Sequence, residues 1–335
     1  MPRVEAGSTP PIAKVEIVRE QTKRSLEALF RALLNHLMTA EIQVRELDLS
    51  PCNWTRPTLR PDEYFMAPPP VNPGTPVSSL DIHKPFPKLA KDPIVECVIA
   101  FVTRVPGEWS ASSAKGLLDA VRKDYPQAQE LNAARVTFMI PAGPDALPPP
   151  EVPKQEDLGW AGWRLVSEDQ KQVVTFGRDG VTVARLAPYP GWTALSTEAT
   201  RLWSLFAEHT GVSSIDRLHV RYINRLVVPG NAFDPIMYFS GFGAPPSGMV
   251  RGLFCHQDTL GLQQLPGAFV NVVRTFEAGG ITDTEVPLIL DLEAMRTEPF
   301  PSEAGMIAQR LTEMHTLKNM AFFESVTAAF TDLCR

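Results

Sequence analysis

The densest set of side chains able to do chemistry lies in Ile215-Asp-Arg-Leu-His-Val-Arg-Tyr-Ile-Asn-Arg-Leu-Val-Val228. The run reads as a β-strand, and strand side chains alternate between two faces. One face then carries Leu218, Val220, Tyr222, Asn224 and Leu226. The other carries Arg217, His219, Arg221, Ile223 and Arg225, a cationic ladder with about 6.6 Å between same-side neighbours. The guanidinium is a planar fork that matches a carboxylate or a phosphate. Two readings follow. Arg217, His219, Arg221 and Arg225 form an anion-binding surface, or they pair across strands with acidic side chains. Three acids suit the second reading: Asp291 and Glu293, which share one face of the strand Leu288–Glu293, and Glu96, which interrupts an apolar strand.

Other motifs carry less chemistry. Ser112-Ser-Ala-Lys115 has nucleophile spacing but lacks its companion motifs, so Ser110 or Ser112 is expected to cap the helix that follows. The glycines 241, 243 and 248 flank Pro245-Pro246 and lack the lysine of a phosphate-binding loop. Cys255, His256 and Asp258 are three metal-ligand types in four residues, but Cys255 points away from the other two on a strand, so no metal site is expected. His315 and Asn319 stand four apart on a helix beside Lys318. They read as a helix-surface hydrogen bond, with a place in a site as the alternative. No cofactor-binding loop is found, and none is expected. Asn53-Trp-Thr55 spells a glycosylation acceptor, void if the chain stays in the cytoplasm.

From about residue 90 onward the chain resembles a sporadically distributed bacterial protein family with no assigned activity. The matching pieces are Pro93-Ile-Val-Glu96, Arg185-Leu-Ala-Pro-Tyr189 with Trp192, Arg221-Tyr-Ile-Asn-Arg225, Met314-His-Thr-Leu-Lys-Asn319 and Phe323-Glu-Ser-Val-Thr327. The resemblance implies a shared α+β fold and no particular reaction. The first 75 residues are not part of it.

These side chains need elements to position them. Leu26, Leu29, Phe30, Leu33 and Leu37 recur at helical spacing, which predicts one helix over 12–40. Residues 41–49 alternate loosely, as a short strand would. Pro51 to Pro76 holds eight prolines and must be extended. The chain is thus read as a helical arm (1–50), a proline-rich linker or strap (51–85), a first α+β half (86–212) and a second half with a long C-terminal helix (213–335).

In the first half, strands are expected at 94–104 and 135–140, with a helix at 110–125 between them. A proline-rich loop fills 141–153. A meander follows at 162–166, 171–176 and 181–186, turning on Asp179-Gly180. The helix at 195–209 carries the stripe Leu195, Ala199, Leu202, Trp203 and Phe206. In the second half, strands are expected at 217–228, 249–257, 268–276 and 286–293, with a helical turn near 233–239. A single helix over 302–333 ends the chain. Strand, helix, meander, helix recurs, which suggests two similar halves. The fold class is α+β, mainly antiparallel sheet with helices packed on it.

Composition bounds the function. The 335 residues carry a net charge of -6, which excludes a general nucleic-acid coat, because that needs a basic excess. Hydrophobic content of 44% excludes global disorder. The 32 prolines lack a period and point to long irregular connections. Cys52, Cys97, Cys255 and Cys334 are too scattered for a zinc pattern and read as reduced thiols. No apolar run is long enough to span a membrane, and the N-terminus lacks the apolar stretch of a signal peptide. A cytoplasmic protein is expected. The leading expectation for function is a binding or interaction protein that meets a partner macromolecule or an anionic ligand through the basic strand face. An enzyme acting on a phosphorylated or nucleic-acid substrate is the alternative, with those arginines as clamps. A partner in small-peptide maturation is a third. Helix 12–40 is the expected surface for a protein partner or self-association.

Overall fold

A computed structural model describes residues 85–137, 154–230, 234–241, 243, 255–262, 264–277, 281–282 and 284–335. The expected helix 12–40, the strand 41–49, the proline strap and the loop 141–153 lie outside them. The chain divides into two units: Met1–Pro61 with Ala134–Asp157, and Asp62–Ala133 with Leu158–Arg335. Of the first, only the strand ends 134–137 and 154–157 are described. The rest of this description concerns the second.

The chain order is β1 (Ile94–Val102), α1 (Lys115–Val121), β2 (Gln127–Thr137), β3 (Lys154–Val166), β4 (Gln172–Gly177), β5 (Gly180–Leu186) and α2 (Trp192–Thr210). There follow β6 (Ser214–Ile215), β7 (Arg217–Pro229), a 3-10 turn (Pro235–Met237), β8 (Cys255–Gly261), β9 (Ala268–Phe276), β10 (Glu285–Arg296), β11 (Phe300–Pro301), α3 (Ala304–Ser325) and α4 (Ala328–Leu333). Nine strands form one sheet in the order β2-β3-β4-β5-β1-β7-β10-β9-β8. The fold is α+β, and the registered neighbours from β3 to β8 are antiparallel. None of the helices among the described residues is long and apolar enough to cross a membrane.

The first chain segment of the sheet is not at its edge. β1 lies between β5 and β7, and its sequence explains why. Cys97, Ile99 and Phe101 are fully buried on one face, while Val98, Ala100 and Val102 keep the other face largely apolar. β7 is read twice, by β1 and by β10, over almost its whole length. The expected alternation holds in this register. Leu218, Val220, Tyr222 and Asn224 are buried on the helix side, and Arg217, His219, Arg221, Ile223 and Arg225 line the opposite face.

Two helices seal the apolar face. α2 packs on β5 and β1 through Leu195, Ala199, Leu202, Trp203 and Phe206, the stripe legible at 3.6-residue spacing. Gly211, in left-handed conformation, ends it and returns its N–H to Ala207 O. α3 packs on β7, β9 and β10. Its buried side includes Ile307, Leu311, Met314, Leu317 and Phe322, but also Glu313 and Lys318. The Trp203 indole donates to Ser302 Oγ at 2.8 Å and ties α2 to the start of α3.

Several boundaries differ from the sequence reading. The C-terminal helix is two helices. Val326 is extended and bridges Phe239, and the Thr327 hydroxyl accepts from Phe330 N–H to open α4. α1 is only seven residues long and has no side-chain cap. The serines expected to cap it make their own turn instead, with Ser110 N–H on Ser113 Oγ at 2.8 Å. β8 covers Cys255–Gly261, and residues 249–254 of the expected strand lie outside the described residues.

The β4–β5 turn keeps Arg178 and Asp179 as its two central residues, not Asp179-Gly180. Gly180 does have a positive φ of 136°, but as a strand residue against β1. A Cβ there would sit 1.9 Å from Phe101 O, so close backbone approach is what demands glycine.

Candidate functional site

The basic strand face is a diagonal ion-pair ladder. Arg221 lies directly opposite Glu293 in the β7–β10 register, yet it reaches one step along the strand to Asp291. The contact is two-pronged, with Nε on Oδ1 at 2.9 Å and Nη2 on Oδ2. His219 is displaced the same way, with Nδ1 3.0 Å from Glu293 Oε1. Arg225 donates from Nε to Glu277 at 2.9 Å. Each of these three side chains thus reaches an acid offset from it along the strands, the geometry by which long side chains use diagonal neighbours. Arg217, half-buried, lies opposite Val102 at the other end of the strand.

The acids respond as such a ladder requires. Burial raises the Glu96 carboxyl, and the positive charge of Arg221 only partly offsets it. Burial also acts against the Glu293 carboxylate, but the His219 hydrogen bond and charge outweigh it and hold the group below its ordinary range. The Arg221 guanidinium is held cationic by Asp291, Glu293 and Glu96 against the cost of its burial. The ladder brings together Arg221, Arg225 and His219 with the acids Glu96, Asp291, Glu293 and Glu277. The Arg221 fork is filled from inside by Asp291, and Arg225 holds Glu277 through Nε.

Asp258 and His256 on β8 stand 3.4 Å apart, as strand spacing allows, but the Asp258 carboxylate accepts from Arg274 Nη1 at 2.7 Å. Arg274 also donates to Ser325 Oγ at 2.9 Å. These residues tie β8 through β9 to the end of α3. Cys255 is exposed.

The helix side of β7 holds a different cluster. Three separate segments meet there: Tyr189 and Trp192 at the β5–α2 junction, Tyr222 and Asn224 on β7, and His315, Lys318 and Asn319 on α3. Spacings of three and four residues put the α3 trio on one face of that helix. The Tyr189 and Tyr222 hydroxyls are 2.8 Å apart, with the two rings edge to face at 5.5 Å. The indole of Trp192 stacks on the His315 imidazole at 4.1 Å and 3°. Asn319 Nδ2 lies 3.4 Å from His315 Nε2. Asn224, buried, donates to Leu290 O at 3.0 Å. Cys97 faces Tyr222 across β1 and β7 and points its thiol at Arg185 O at 3.5 Å.

Lys318 sits at the centre. It is 6% exposed, and its ammonium lies 3.8 Å above the centroid of the Tyr222 ring. Among the described residues, the ion pairs leave Lys318 without a carboxylate partner. Burial brings its pKa down to about 7. Cys97 would oppose this only as a thiolate, and burial pushes that thiol up to about 12, so it is uncharged at neutral pH. His315 is driven down to about 3 by burial and by the Lys318 charge, and is therefore neutral. Burial likewise raises both tyrosines, which stay protonated. Lys318 is the one group in this cluster that changes charge near neutrality.

Magnitudes decide what such a lysine does. A buried ammonium loses several kcal/mol of hydration. A desolvated cation–π contact returns about 2 kcal/mol or somewhat more, which covers only part of that cost. The remainder favours either the neutral amine or the arrival of an anion. The cluster grades from buried Tyr222, Asn224 and Cys97 to half-buried Tyr189, Trp192, His315 and Asn319.

Sequence reasoning found the ladder and missed this cluster. His315 and Asn319, beside Lys318, stood out as a helix-surface pair with a place in a site as the alternative, and Tyr222 and Asn224 only as the apolar side of a strand. The signal was the concentration of aromatic and polar residues in three segments far apart in the chain. No protein-family model and no curated protein matches this sequence.

Proposed function

We propose that this protein binds a small anion, a carboxylate in particular, at Lys318. The carrying observation is a lysine that is 6% exposed and has an aromatic face as its partner. Tyr222 forms the floor, and Tyr189, Trp192, His315 and Asn319 form the solvent side. The anion supplies the counter-charge that the surrounding residues lack, and the amine takes up a proton as it binds. Neutral His315 and the Asn319 amide add hydrogen-bonding capacity without competing charge.

The arginine face supports this role less well. A free guanidinium would attract a phosphate, but Arg221 already holds Asp291 by two prongs and Arg225 already holds Glu277. An incoming anion would have to displace a tethered carboxylate. Binding is therefore assigned to the opposite side of the same strand, with the ladder holding that strand in register.

The strand order also supports reading the chain as two similar halves that meet at β1 and β7. Each half runs from one central strand, through a meander, to a helix. Cys97 and Tyr222 face one another across that seam, so the anion would bind beside it.

Calorimetry of the full chain with acetate, L-lactate and inorganic phosphate tests the proposal. The expected result is saturable binding of a carboxylate, lost in Lys318→Met. Equal binding by wild type and Lys318→Met would overturn it.

A further inference from the structure

We infer that Lys318 captures a carbonyl carbon covalently, so that the natural ligand is a small 2-oxo acid held as a protonated imine. The inference rests on the anion reading and adds a second function to the same amine. A 2-oxo acid brings both parts the cluster lacks. Its carboxylate is the missing counter-charge, and its carbonyl is an electrophile next to that charge.

Three features of the geometry carry this. First, the amine is not tied up. In a structural role a buried lysine ends on a carboxylate or on backbone carbonyls, whereas Lys318 ends over a ring. Second, that ring stabilises a positive charge at its face. The protonated imine keeps the charge of the ammonium at the same nitrogen, so the contact with Tyr222 survives the reaction. Third, a hydroxyl pair stands at the edge of the same ring, Tyr222 with Tyr189 at 2.8 Å. Both phenols hold their protons, since burial raises each of them. They can donate to the oxygen that must leave.

The step balances without another reactant. The ammonium loses one proton to give the free amine. The nitrogen lone pair attacks the carbonyl carbon, and the carbonyl oxygen takes up that proton to give a carbinolamine. Loss of its hydroxyl as water, with one further proton from the same nitrogen passing to the oxygen and the other retained, forms the protonated imine. One C=O bond is exchanged for one C=N bond, one water is released, and nothing is oxidised or reduced.

A free amine is a nucleophile and an ammonium is not. Burial leaves a substantial fraction of Lys318 as free amine near pH 7. The titratable groups facing it are Tyr222 from β7, Tyr189 from the β5–α2 junction, His315 from its own helix and Cys97 from β1, with Asp92 before β1 as the one carboxylate that acts on it from a distance. Tyr189, Tyr222, His315 and Cys97 are all uncharged at that pH. None of them supplies a charge that would hold the amine permanently protonated.

The test uses the full chain with glyoxylate or pyruvate and cyanoborohydride at neutral pH. Peptide mapping by mass spectrometry locates the reduced adduct. The expected result is an adduct on Lys318 ahead of the exposed lysines. It should be lost in Lys318→Arg and slowed in wild type by L-lactate, a carboxylate with no carbonyl. Labelling spread over exposed lysines with Lys318 unmodified would overturn the inference. If lactate still binds by calorimetry in that case, imine capture fails and anion binding stands. If Lys318 is labelled but lactate neither binds nor slows labelling, the capture stands and the anion reading fails. Competition by lactate is read on the wild-type protein, so the outcome does not depend on a variant folding.

Discussion

The ammonium of Lys318 caps the Tyr222 ring at 3.8 Å, and no carboxylate pairs with it among the described residues. That pairing joins α3 to the central strand β7 on the side of the sheet away from the ion-pair ladder. It places a titrating amine against an aromatic surface, with Asp92 acting on it only from a distance.

Stability should carry the signature of that amine. The folded pKa is about 7 against an ordinary 10.5. Between those values the unfolded chain holds the proton and the folded chain does not, so this site's contribution rises with pH. Its penalty is fully present below pH 7. Cys97 acts the other way, because its thiol is raised from 9 to about 12 and costs stability above pH 9. The window from pH 7 to 9 thus isolates Lys318. Lys318→Met should be more stable than wild type at pH 7. The gap should close by roughly 1 kcal/mol per pH unit toward pH 9. Urea denaturation of both proteins at pH 7, 8 and 9 measures it, and a gap that stays constant contradicts a depressed lysine.

His315 should weaken the fold in acid. Its folded pKa is about 3 against an ordinary 6.5. As pH falls through that interval, the unfolded chain gains a proton that the folded chain refuses, and stability drops. His315→Gln removes the loss. Between pH 7 and pH 5 the wild type should lose roughly 2 kcal/mol more than the variant. Matching losses would mean that the imidazole protonates in place against Trp192.

Arg221→Ala should destabilise the sheet. It leaves Asp291 beside Glu293 and Glu96 without the guanidinium that offsets them. Removing one partner of a buried pair costs about 3–5 kcal/mol. The Arg221 and Asp291 side chains are 32% and 18% exposed, so water recovers part of it. A loss of about 2–3 kcal/mol is expected. The double variant with Asp291→Ala should lose less than the two single changes summed. An unchanged melting temperature for Arg221→Ala would show that the ladder is not structural.

Gly180→Ala should be among the most damaging single changes. The new Cβ would lie 1.9 Å from Phe101 O, at a φ of 136°. Both strain terms fall on the β5–β1 junction, so a loss of at least about 2–3 kcal/mol is expected. A normally stable variant would mean that β5 can shift away from β1 at that point.

Periodicity made much of the sheet readable. β9 falls where the alternation of Ala268–Phe276 places it, and the two faces of β7 follow from parity alone. Local chemistry hid what tertiary contacts decide. Asp179-Gly180 carries the signature of a hairpin turn, yet Gly180 is required by the β1 backbone on its other side. A single helix over 302–333 fits the pattern, but Val326 leaves it to pair with Phe239. The candidate site was the least legible part. Tyr189, Tyr222 and Lys318 each have an ordinary local explanation, and only the crossing of α3 over β7 brings them together. A lysine on the buried side of a helix looks like a solvated residue until its neighbours are known.

The most direct measurement of the central claim is an NMR titration of the Lys318 side chain in the full chain, with and without L-lactate. The account predicts a pKa near 7 in the free protein, moved upward when the carboxylate is present. A value near the ordinary 10.5, or a titration that lactate leaves unmoved, would contradict it.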